Sequence, residues 1–152
     1  MIVTVNAFSE NTQKIHITAD ILKTNTSGKE AEFSGNVKTL FDNTNITCEN
    51  LKIFFKENGK KTASLTENSI EKIIASGNVV IKTDDGIEAK CEKALYTAET
   101  ELLVLTGKNT TVYKDKNIII GDKITIEKKT NNIIAEKGAE KRVEFFLYPK
   151  EK

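Results

Sequence analysis

Short runs of β-branched apolar residues, each interrupted by a small-residue break, recur along this chain. The strongest is Ile73-Ile74-Ala75-Ser76-Gly77-Asn78-Val79-Val80-Ile81. Upstream, Ala31-Glu32-Phe33-Ser34-Gly35-Asn36-Val37 repeats its Ser-Gly-Asn-Val core. Downstream, Leu103-Val104-Leu105-Thr106-Gly107 and Ile133-Ile134-Ala135-Glu136-Lys137-Gly138 repeat the apolar-then-glycine form. The four glycines at 35, 77, 107 and 138 are spaced by 42, 30 and 31 residues. Each interval holds a second extended run, at 46–55, 87–96 and 118–126. A period near thirty with two strands per unit predicts a stacked β repeat. No segment sustains a 3.6-residue apolar period, and isoleucine and threonine are abundant, so the expected class is all-β.

Alternation assigns faces, because neighbouring side chains of a strand point to opposite sides. In the run 14–22 the odd positions Ile15, Ile17, Ala19 and Ile21 are apolar, which predicts one half-buried strand. Registering the repeats on their glycines turns Ala31 with Phe33, Ile73 with Ala75, and Leu103 with Leu105 inward. Past the glycines, Val37 matches Val79 and Thr39 matches Ile81. The third repeat has polar Asn109 and Thr111 there, so its parity is expected to shift and bury Val112. The last repeat needs one extra residue before Gly138, the mark of a bulge. Turns are expected at 42–45, 83–86, 114–117 and 128–132, where Asp, Asn and Gly supply the conformations a tight turn demands. Asn58-Gly59 signals a further hairpin, which makes 61–71 an insertion and explains the longer first spacing.

Composition narrows the picture. At 152 residues with 30% charged and 38% hydrophobic positions, the chain fits one globular domain with a real core. A net charge of +1 gives no field to gather nucleic acid. No apolar run reaches the length of a membrane-spanning helix. Residues 1–7 are apolar and end with Val5 and Ala7, like the tail of a secretory signal peptide; a plain first strand is the alternative. On the signal reading the domain occupies 8–152. Cys48 and Cys91 share parity with inward isoleucines and read as small buried hydrophobes, or as a bridge if the compartment is oxidising and the strands stack.

Catalytic chemistry finds no foothold. His16, the single histidine, points outward by parity, and neither a second histidine nor an exposed cysteine joins it. Asp84-Asp85-Gly86 lacks the spaced acids and closing Glu of a calcium loop. No glycine loop is built to cradle phosphate. No cofactor, no metal and no enzymatic activity are expected.

Ile15-His16-Ile17-Thr18-Ala19-Asp20-Ile21-Leu22, followed by Ala31-Glu32-Phe33-Ser34-Gly35-Asn36-Val37, resembles the opening of the LptA (OstA-like) family, with its I-x-A-D and a-x-F-x-G-x-V patterns. The units at Gly77 and Gly107 look like later rungs of that family, and the resemblance covers most of residues 13–138. It implies a single-domain β-jelly-roll of stacked V-shaped turns, open at both ends. It also implies lipopolysaccharide binding through lipid A in a lengthwise apolar groove, in the periplasm, as part of a transport bridge to the outer membrane. The implied partners are LptC-like inner-membrane and LptD-like outer-membrane proteins and further copies joined head to tail. The groove is then expected to be lined by Ile17, Ala19, Ile21, Phe33, Val37, Ile46, Ile73, Ala75, Val79, Ile81, Ile87, Ala89, Leu103, Leu105, Val112, Ile118, Ile120 and Ile124. Burying an acyl chain of about a dozen methylenes there would gain roughly 10 kcal/mol gross. The competing expectation is an extracellular β-solenoid with a filled interior, serving as scaffold or adhesion module. A carbohydrate-active jelly roll is disfavoured by the absence of Trp.

Overall fold

Gly35, Gly77 and Gly107 turn out to be bends in long strands, whereas Gly138 lies just beyond a short one. The computed structural model describes residues 15–24, 29–41, 43–56, 70–139 and 142–148. The segment 1–7, the Asn58-Gly59 hairpin and the inserted residues 61–69 lie outside them. Among the described residues there are ten strands and no helix. They are β1 (His16–Thr18), β2 (Ile21–Thr24), β3 (Glu30–Phe41), β4 (Thr44–Phe55), β5 (Ile70–Thr83), β6 (Ile87–Thr97), β7 (Leu102–Lys114), β8 (Asn117–Glu127), β9 (Asn132–Glu136) and β10 (Glu144–Phe146). All belong to one antiparallel sheet in which β3 to β8 pair in sequence order, an unclosed meander. Ile70 and Glu71, expected in the insertion, are instead the first residues of β5.

The register slips at the same level in five successive strand pairs: between Ser34 and Val37, Thr47 and Asn50, Ser76 and Val79, Lys90 and Lys93, and Thr106 and Thr110. Bulges sharpen a strand's bend, and here they line up into one crease that divides the sheet into two arms. The lower arm holds 37–41, 44–48, 79–83, 87–91, 110–114 and 117–121, with β1 and β10. The upper arm holds 30–34, 50–55, 70–76, 93–97, 102–106 and 123–127, with β2 and β9. Gly35 (φ 86°) and Asn36 (φ 48°) make the bend in β3, and Gly77 (φ 85°) and Asn78 (φ 48°) repeat it in β5. Glycine and asparagine are the residues that adopt positive φ at low cost.

Inward rows cross every strand. On the lower arm the paired row runs Ile17, Thr39, Ile46, Ile81, Ala89, Val112, Ile119 and Phe145. On the upper arm it runs Leu22, Phe33, Leu51, Ala75, Ala94, Leu105, Ile124 and Ala135. Leu51, Ile81, Leu105 and Ile124 are fully buried, each worth about 1.5–3 kcal/mol of apolar transfer. Val112 is inside, as the expected parity shift requires, and Thr110 buries its hydroxyl by donating to the Gly107 carbonyl at 2.7 Å.

Three expected positions are corrected. The described part of that run, 15–22, falls into two strands, because the Asp20 amide donates to the carbonyls of Ser34 (3.1 Å) and Gly35 (2.9 Å) and the chain bends there. The bend reverses parity: Ile21 pairs with Ser34 on the outer face and is 54% exposed, while Leu22 pairs with Phe33 on the inner row and, at this sheet edge, is itself 57% exposed. In β8 the pairing of Val112 with Ile119 places Ile119 inward, so Ile118 and Ile120 face outward. An uninterrupted Ile118-Ile119-Ile120 triplet carries no alternation from which to choose.

Candidate functional site

The two arms converge at the crease and part towards their free ends. Deep in the angle, Val37, Val79, Leu105, Val112 and Ile124 are at most 1% exposed, and Ala75 is nearly as buried. This floor is packed core. Nearer the mouth lies a groove of about 470 Å³ with walls from both arms. Phe41, Thr44, Ile46, Ile81, Thr83, Ile87, Ala89 and Lys114 form the lower wall, and Ile73, Tyr96, Leu103, Ile126 and Ile133 form the upper. Its rim is polar, with Asp84 and Asp85 in the β5–β6 turn facing Glu127, Lys128, Asn131 and Asn132. Phe41 and Tyr96 meet across the gap, ring centroids 5.9 Å apart and planes at 67°. Lys128 Nζ stands 5.8 Å from the centre of the Tyr96 ring, a cation–π distance.

The expected groove residues therefore separate by depth. Ile87 and Leu103 line the groove half-buried, and Ile46, Ile73, Ile81 and Ala89 border it from buried positions. Val37, Ala75, Val79, Leu105, Val112 and Ile124 form its packed floor. Ile17, Ala19 and Phe33 pack partly buried against the core near the β1–β2 end. Ile21, Ile118 and Ile120 are not part of it. Parity finds the inner face but not the depth, so Tyr96, Phe41 and Ile126 were missed. Extending the glycine-aligned register to the row Ile73, Tyr96, Leu103 and Ile126 would have found two of them.

A second missed feature explains the crease. An acidic side chain lies over each of the four repeat glycines: Asp20 over Gly35, Glu49 over Gly77, Glu92 over Gly107 and Asp122 over Gly138. A Cβ built on those glycines would stand 2.5 to 2.6 Å from the nearest acid atom. Asn36 donates to Asp20 Oδ2 (3.3 Å), Asn78 to Glu49 Oε2 (2.6 Å) and the Gly138 amide to Asp122 Oδ2 (2.8 Å). The signal was present in Ala19-Asp20, Cys48-Glu49, Cys91-Glu92 and Gly121-Asp122, a small residue followed by an acid, once per unit.

Cys48 and Cys91 are buried free thiols. β5 stands between their strands, which sets them about 10 Å apart at two inter-strand steps, beyond the reach of a disulfide. Burial pushes the Cys48 thiol up to about 11 and the Cys91 thiol up to about 12. No group of three or more metal-ligating side chains occurs among the described residues. No helix among them is long and apolar enough to cross a membrane.

A single open antiparallel sheet, creased so that two apolar arms enclose a trough, defines a β-jelly-roll of stacked V-shaped rungs. The family described as LptA/(LptD N-terminal domain) LPS transport protein matches residues 16–132. The chain belongs to that family. An uncharacterized protein of Rhizobium meliloti (strain 1021) is 28% identical over 120 residues, covering 79% of this chain and 63% of its own length. The chain thus spans under two thirds of that curated relative. The crystal structure of LptH from Pseudomonas aeruginosa superposes with a TM-score of 0.76 at 16% identity, covering 90% of this chain and 96% of LptH. That structure is described as the LptA-homologous periplasmic component of a lipopolysaccharide transport device.

Proposed function

We propose that this chain is a non-catalytic periplasmic carrier of lipopolysaccharide, which shelters acyl chains in the groove between its arms. The observation that carries this reading is the apolar trough itself, walled by Ile46, Ile81, Ile87 and Ala89 on one side and Ile73, Leu103 and Ile126 on the other. A packed β-solenoid would have closed its mouth as tightly as its floor. Open apolar concavities with a polar rim are where amphiphiles bind. Family membership and the likeness to LptH support the transport role and the periplasmic location. In the bridge we infer, LptC-like and LptD-like proteins flank the chain, and copies join end to end through the β1–β2 and β9–β10 edges.

A photo-crosslinking residue at Leu103 tests the groove. Irradiation in cells should yield a lipopolysaccharide adduct there and none with the same residue at outward-facing His16. Equal labelling, or none at Leu103, would support the filled scaffold instead, a reading that the packed floor favours.

A further inference from the structure

We infer that the Phe41–Tyr96 contact is a latch across the groove that sets which amphiphiles it admits, an inference resting on the lipid-carrying reading above. The two rings belong to opposite arms, Phe41 at the end of β3 and Tyr96 near the end of β6. No backbone pairing joins those segments, since β4 and β5 intervene along the sheet. Their edge-to-face contact at 5.9 Å is therefore a side-chain link between wall segments that no backbone pairing joins. Both rings also line the groove, so the link stands in the path of anything lying along it. Lys128, at the turn after β8, approaches the same Tyr96 ring and ties a third element of the rim to it.

Size gives the latch its consequence. A trough of about 470 Å³ is in the range that holds one compact ligand, or a single acyl chain. A lipid carrying several chains does not fit between latched arms. Its admission requires the arms to splay, and splaying breaks the ring contact, whereas a single-chain amphiphile enters with the contact intact. The crease can act as the hinge, because the register is already slipped at that level in five strand pairs. Phe41 and Tyr96 are then specificity-determining residues, selecting by chain number.

The test compares uptake rates of lauric acid and of multi-acylated lipid A by the full chain. Phe41→Leu and Tyr96→Leu each keep an apolar side chain and remove the ring contact. In both, the ratio of lipid A rate to laurate rate should rise about tenfold over the unaltered protein, the upper range for loss of an aromatic pair. A combined Phe41→Cys, Tyr96→Cys protein joined by a short bismaleimide should show the reverse, a ratio of lipid A rate to laurate rate that falls about tenfold below that of the same protein before crosslinking. Cys48 and Cys91 are buried and do not compete for the reagent. Far-UV circular dichroism and melting establish that each variant is folded. An unchanged ratio in folded variants that still bind laurate would overturn the latch and leave the carrier reading standing. Folded protein that takes up neither probe would overturn both.

Discussion

Glu49 lies across the α-carbon of Gly77, and Asn78 donates to the same carboxylate at 2.6 Å. Adding a methyl group to Gly77 would bring a Cβ to 2.7 Å from Glu49 Cβ, at a φ of 85° that side chains disfavour. Gly77→Ala is expected to cost about 2 kcal/mol or more, through backbone strain and the clash together. For a chain of this length that lowers Tm by roughly 4–8 °C. Glu49→Ala in the same chain should restore only part of the loss, because it removes the contacts with Oε1 (2.6 Å) and Cδ (3.0 Å) but leaves the Cβ contact and the strain. A double-mutant cycle in thermal melts checks this, and simple additivity would disprove the contact's role.

Thr39 stands on the inner row between Ile17 and Ile46, 3% exposed, with no hydrogen-bond partner for its hydroxyl among the described residues. A buried hydroxyl left unpaired costs about 1–3 kcal/mol, and valine keeps its shape without the polar atom. Thr39→Val should therefore stabilise the protein by roughly 1 kcal/mol in urea titration. A destabilised variant would show that the hydroxyl is satisfied in solution.

The two thiols make an alkaline prediction. Folding holds Cys48 and Cys91 protonated to about 11 and about 12, from an ordinary value of 9.0, because burial disfavours the thiolate. Above pH 9 the unfolded chain loses those protons while the folded chain keeps them, so stability falls as pH rises. The stability present below about pH 9 is progressively lost through the folded values. Replacing both cysteines with alanine should flatten this limb of the Tm-against-pH curve. In the native protein at pH 8, both thiols should resist a disulfide-exchange reagent until denaturant is added.

At the C-terminal end, Phe145 (58%), Leu147 (67%) and Tyr148 (50%) are exposed beside the β9–β10 edge. Ile21 (54%) and Leu22 (57%) are exposed at the opposite edge. Apolar side chains flanking open strand edges favour pairing between copies. Light scattering should show mass rising with concentration, and Phe145→Glu with Leu147→Glu should shift that rise to about tenfold higher concentration, the factor that about 1.4 kcal/mol of lost contact supplies. A monomer at all concentrations would remove the end-to-end bridge.

Much of this architecture could be read from the chain itself. The all-β class, the thirty-residue unit, the bends at Gly35, Gly77 and Gly107 and the inward face of most strands follow from period-2 alternation and from residues that tolerate positive φ. Those are local properties, written into neighbouring residues. Where the local code is silent, the tertiary structure decided. Ile118, Ile119 and Ile120 are equally apolar, and only pairing with β7 turns Ile119 inward. Ile21 follows an alternating pattern perfectly, yet the Asp20 backbone bonds bend the strand and expose it. Depth within the fold is the largest such decision. Val79 and Ile81 look alike in sequence and are equally buried, but only Ile81 borders the groove. The opening between the arms depends on how far two distant segments stand apart, which is fixed by the acid–glycine bends and by Phe41 meeting Tyr96, contacts between residues far apart in the chain.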